Sequence, residues 1–117
     1  MRVIIIDSVN RSIREGTING NFLTAIYKLI GCTSVDVVGI DHVNDVWVDD
    51  EGLLKNEPFL PVFKIAGRTL AGNAVISAHD DEGETIATDL KIDDIRSAIQ
   101  FLSLSPAEII RILMARS

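Results

Sequence analysis

The spacing of apolar positions changes repeatedly along this chain, and each change marks an expected element. Arg2 to Ile6 is a β-branched apolar run of the kind found in a strand covered on both faces, so it reads as a central strand. Asp7, Ser8 and Asn10 then form a turn, and Ile13, Glu15 and Thr17 alternate as a short strand pairing back as a hairpin. From Phe22 the period lengthens: Phe22, Leu23, Ile26, Leu29 and Ile30 recur at helical spacing, with Asn19 or Asn21 as cap and Gly31 at the left-handed terminating position. Val35 to Ile40 and Val43 to Val48 return to β-branched strand patterns, and Asp49, Asp50, Glu51 and Gly52 make a turn.

The second half is less regular. Pro58 and Pro61 make the stretch from Leu53 to Gly67 read as a loop or an edge crossing that lies over the core, because proline removes a ladder donor. Gly72 to His79 and Glu84 to Thr88 read as strands joined by the four-residue loop Asp80-Asp81-Glu82-Gly83. Ile92, Ile95, Ala98, Ile99 and Leu102 follow a helical period, with Asp93 placed to complement the helix dipole. Ser105, Pro106 and Glu108 then supply a capping box for a last helix, whose stripe is Ile109, Ile110, Leu113 and Met114. The expected fold is α+β: a small mixed, mainly antiparallel sheet packed by one N-terminal helix and a C-terminal helical pair, in a single domain over residues 1–117.

Composition narrows the function classes. With 117 residues and 47% hydrophobic positions the chain can bury one core, and its longest apolar runs are far below the roughly 20 residues of a membrane helix. Asp7 breaks the first apolar run before a secretory signal can form, and the single Cys32 excludes an internal disulfide; both suit the cytoplasm. The net charge of −6 argues against direct binding to nucleic acid. Of 17 acidic residues, 13 lie in Asp41 to Glu57 and Asp80 to Asp94. Arg2, Arg11 and Arg14 instead make the first strands locally basic, leaving room for a small anion site.

Several residues stand out chemically. Period-two alternation puts Asp45, Trp47 and Asp49 on one face, where an indole between carboxylates suits a ligand or partner. The competing reading is that the proline-containing crossing covers Trp47 as core. Asp49, Asp50 and Glu51, or Asp80, Asp81, Glu82 and Glu84 with His79, carry donors for a divalent ion, but neither has calcium-loop spacing, so no metal is assigned. His42, His79 and Cys32 lack a catalytic partner order, and no catalytic residue or cofactor is assigned either. Gly67 to Asn73, with Arg68, has two glycines and a basic side chain but not the lysine-serine ending of a phosphate loop; it reads as a turn entering a strand.

The order of elements, with Trp47-Val-Asp-Asp-Glu-Gly-Leu-Leu-Lys55, the proline-containing crossing, Ala71-Gly-Asn-Ala-Val-Ile76 and the acidic hairpin at Gly83, resembles a domain-of-unknown-function family (DUF3846-type) of small proteins found mainly in phages, plasmids and other mobile elements. The resemblance implies an acidic-glycine-lysine turn at Asp50-Glu51-Gly52 and Lys55, and a strand opening at Ala71-Gly72. It supplies no reaction. The expected function is therefore non-enzymatic: a module binding a small molecule or a host protein, a counter-defence accessory among them, with Asp45, Trp47, Asp49, Asp50, Glu51, Lys55, Arg68 and Asn73 as candidate contacts. The alternatives are an acidic nucleic-acid mimic and a metal-dependent hydrolase, and exposed sheet edges would allow a homodimer.

Overall fold

The computed structural model describes residues 1–54 and 58–115. The fold is α+β, with nine strands and three helices among these residues. Strands β1 (Arg2–Asp7), β2 (Ser12–Thr17), β3 (Val35–Gly39), β4 (Asn44–Asp49), β7 (Asn73–His79) and β8 (Thr85–Ile86) form one sheet in the order β2-β1-β7-β4-β3, with β8 also on β7. Strands β5 (Leu60–Ile65), β6 (Arg68–Ala71) and β9 (Gln100–Leu104) form a second sheet in the order β6-β5-β9. All of these pairings are antiparallel.

Alternation along the strands sets the layers. Ile4, Ile6, Val46, Val48, Ala74 and Ile76 project from the large sheet onto Phe63, Ile65 and Leu70 of the small one, with Ile95 closing the same core. Val3, Ile5, Val75 and Trp47 project the other way, onto helix α1 (Phe22–Ile30). The outer face of the small sheet, Leu60, Val62, Ala71 and Leu104, is covered by Leu53 and by helix α3 (Pro106–Ala115) through Ile109 and Leu113. The result is four layers: α1, large sheet, small sheet, α3.

The first half matches the sequence expectations closely. Asn21 caps α1 by accepting from the Thr24 N–H at 2.9 Å, and Gly31 ends it at φ 79°. Ser105 and Glu108 form the capping box of α3, with the Glu108 N–H donating to Ser105 Oγ and the Ser105 N–H to Glu108 Oε1.

Three elements differ. The proline-containing crossing is not an edge or a lid, because β5 is the middle strand of the small sheet. Pro61 is tolerated there because its carbonyl accepts from Gly72 N–H at 3.2 Å, so its nitrogen faces the same side, just where β6 has ended. β6 itself completes a hairpin through Ala66 and Gly67, both at positive φ, 50° and 74°, as a tight primed turn requires. The helical spacing expected to reach Leu102 stops at Ala98 in α2 (Ile92–Ala98). Ile99 is already extended, and residues 100–104 form β9 along β5, so both C-terminal helices exist with a strand between them.

Candidate functional site

Three strands, β3, β4 and β6, converge where the two sheets meet beside β3. On β3 and β4, Asp36 lies opposite Val48, which faces the small sheet. Asp49 ends β4, and Asp50 follows with its Oδ2 accepting from Ser34 Oγ at 2.8 Å. From the other side, the Ala66-Gly67 turn delivers Arg68 and Thr69 at the start of β6. Between them is a cavity of about 140 Å³, rimmed by Asp36, Asp49, Asp50, Arg68 and Thr69 and floored by Val38, Val48, Leu53, Leu70 and Leu113. Three aspartates and one arginine among the lining residues make its formal charge net negative. The apolar floor lowers the local dielectric, which strengthens any charge pairing made there.

The candidate residues divide. Asp49, Asp50 and Arg68 gather at this cavity. Glu51 lies beside it on an exposed turn, its N–H donating to Asp49 Oδ1 at 3.0 Å. Lys55 lies outside the described residues. Asn73 opens β7 opposite Asp7, away from the cavity lining, and its Oδ1 is buried without a hydrogen-bond partner among the described residues. Asp36 and Thr69 joined the site only through the sheet register, which no local pattern announces.

Asp45 and Trp47 belong elsewhere. The face they share is the one under α1, so helix α1, and not the proline-containing crossing, covers Trp47. Its ring meets Phe22 edge-on at 5.2 Å, and its Nε1–H donates to Ser77 Oγ at 2.8 Å. Further along the same face, Asp45 Oδ2 lies 2.7 Å from His79 Nδ1. That hydrogen bond, then the carboxylate charge, raises the His79 pKa. Ser77 shares this face, but it is fully buried and its oxygen already takes the indole donor.

The two acidic stretches do not form one row. Asp49 to Glu51 sit at one end of β4, while Asp80 to Glu84 follow His79 at the other. Asp80 Oδ1 is occupied by the N–H groups of Glu82 and Glu84. Gly72, in the stretch read above as a turn entering a strand, donates its N–H to the Pro61 carbonyl and serves the turn into β7. Cys32 is partly buried in the core beneath α1. Among the described residues, no helix is long and apolar enough to cross a membrane, and no three His, Cys, Asp or Glu side chains are grouped to hold a metal ion.

A family model described as Domain of unknown function (DUF3846) matches residues 1–100, which run from β1 into the start of β9. The chain is also similar to a protein of Sinorhizobium fredii (strain NBRC 101917 / NGR234) named Uncharacterized protein y4iR, at 28% identity over 88 residues. That stretch is 75% of this chain and 53% of the relative, so the chain spans about half the relative's length. No solved structure matches.

Proposed function

The chain belongs to the DUF3846 family of unknown function, and from that premise we propose that it is a binding module whose inter-sheet cavity holds a small amine-bearing group. The observation that carries this reading is the lining: Asp36, Asp49 and Asp50 line the cavity together with Arg68, over a short apolar floor. An ammonium or guanidinium group would meet the carboxylates, and Arg68 would receive a carboxylate at the other end of a zwitterionic guest. At about 140 Å³ the cavity is smaller than the roughly 300 Å³ of sites for drug-sized ligands. It therefore suits an amino-acid-sized molecule, or one lysine or arginine side chain of a protein partner.

In a phage or plasmid setting, such a module acts in the host cytosol on a host protein or a small metabolite, which is the expected behaviour of a counter-defence accessory. Nuclear magnetic resonance titration with agmatine, free arginine and an arginine-containing peptide tests the proposal. Saturable shifts at Asp36, Val38, Leu70 and Ala71, abolished by Asp36→Asn with Asp50→Asn, are expected. Binding of the peptide alone would assign the site to a protein partner, and binding of the free amines would assign it to a metabolite. Absence of shifts at these residues with all three probes would overturn the reading.

A further inference from the structure

A second groove, remote from the acidic rim, has the opposite charge. It runs between β2, α2 and β9, with a volume of about 390 Å³, and is lined by Arg11, Ser12, Ile13, Arg96, Ile99 and Phe101. Ile13, Ile99 and Phe101 pack on the central core and give it an apolar floor with one aromatic ring. Two guanidiniums line it and no carboxylate does, in a chain of net charge −6.

Two carboxylates of the β1–β2 hairpin are committed to other groups. On β2, Glu15 accepts from Arg2 at 2.7 and 3.0 Å. In the β1–β2 turn, Asp7 accepts from the backbone and side-chain nitrogens of Asn10. Among the described residues Arg96 pairs only with the exposed Asp93 one turn away, at 3.3 Å, a contact that is easily exchanged for a better acceptor. Arg11 has no ion pair among the described residues. Its backbone is held at φ 52°, a conformation costly for a side chain with a Cβ, which glycine or asparagine would adopt more readily.

We propose that this groove binds an oxyanion, a carboxylate or phosphate, carried on a flat apolar body. Planar guanidiniums match both oxyanions bidentately, and the floor of Ile13, Ile99 and Phe101 takes the apolar part. At about 390 Å³, the groove falls within the roughly 300–1,000 Å³ range of small-molecule sites. The proposal is independent of the amine-binding cavity, whose lining residues are all different.

The test is a titration of the full chain at low salt with phenyl phosphate, and separately with inorganic phosphate. Phenyl phosphate is expected to shift the backbone amides of Ser12, Ile13, Ile99 and Phe101 saturably, and to bind more tightly than inorganic phosphate. Arg11→Gln and Arg96→Gln should each weaken binding by about tenfold, the loss of one charge-assisted contact. Arg11→Gly serves as the folding control, because it removes the guanidinium while relieving the positive φ. It should lose binding with no fall in thermal midpoint. Equal binding of phenyl phosphate by wild type and the Arg11→Gln, Arg96→Gln double variant would overturn the proposal, as would shifts confined to other residues. Equal affinity for inorganic phosphate would overturn the apolar-body assignment.

Discussion

His79 Nδ1 lies 2.7 Å from Asp45 Oδ2, although the residues are 34 positions apart and sit on different strands. The antiparallel register of β4 with β7 brings them together on the face of the large sheet that carries Trp47. Their hydrogen bond and opposite charges raise the His79 pKa above its ordinary 6.5.

The sign of the pH dependence follows. A group whose folded pKa is raised contributes stability that is fully present below the unfolded value, here 6.5, and lost as pH rises through the folded value. The denaturation midpoint should therefore fall across that window in wild type and stay flatter in His79→Gln. Asp45→Asn should bring the His79 imidazole titration back toward 6.5. An unchanged His79 titration in Asp45→Asn would show that the pair does not set it.

Trp47 is the only tryptophan, so its emission reports whether α1 is docked on the large sheet. Trp47→Phe keeps the ring against Phe22 but leaves the fully buried Ser77 hydroxyl without its donor. The expected cost is about 1–3 kcal/mol, the penalty of an unsatisfied buried polar group. Trp47→Phe combined with Ser77→Ala should recover part of that loss, and a double-mutant cycle by urea denaturation measures it.

Much of the local structure was legible because its causes are local. Asn21, Gly31 and the Ser105-Glu108 box act within a few residues of where they stand, and each sits where its side-chain chemistry requires. Elements decided by distant partners were not legible. Pro61 argued against a middle strand, yet the end of β6 leaves its missing donor unneeded. Ile99 and Leu102 kept a helical period, but pairing with β5 fixed residues 100–104 as a strand. The candidate site divided in the same way: Asp49 and Asp50 were visible as a turn, while their meeting with Asp36 and Arg68 depends on how the two sheets stack. The face shared by Asp45 and Trp47 was read correctly from period two, but the helix that covers it was not.

Gly52 and Ala71 belong to the two segments that carried the family resemblance, and they touch. A Cβ added at Gly52 would stand 3.2 Å from both the Ala71 Cβ and the Ala71 carbonyl oxygen. The Ala71 backbone is held by its pairing with Val62, so little relaxation is available. Gly52→Ala should cost about 1–3 kcal/mol through overpacking. Ala71→Gly in the same chain should relieve part of that clash, which thermal denaturation of both variants checks. Additive losses would show that the two positions do not press on each other.

Thr88 ties β4 to the segment leading into α2 through a fully buried hydroxyl. Its Oγ1 donates to Asn44 Oδ1 at 2.7 Å and accepts from the Leu90 N–H at 3.2 Å. Asn44 in turn donates through Nδ2 to Asp41 Oδ2 at 2.8 Å. Burial works against ionisation of Asp41, but the hydrogen bonds from Asn44 and Val43 and the charge of His42 outweigh it and hold the pKa below 3.8. Thr88→Val matches the side chain in shape but removes the hydroxyl, leaving a buried acceptor on Asn44 and a donor on Leu90 unpaired. A loss of about 2–6 kcal/mol is expected, since each of the two orphaned groups costs about 1–3 kcal/mol. Thr88→Ser keeps both bonds, gives up one methyl, and should lose only about 1 kcal/mol. Equal destabilisation of the two variants in urea denaturation would assign the role of Thr88 to its methyl packing instead of its hydroxyl.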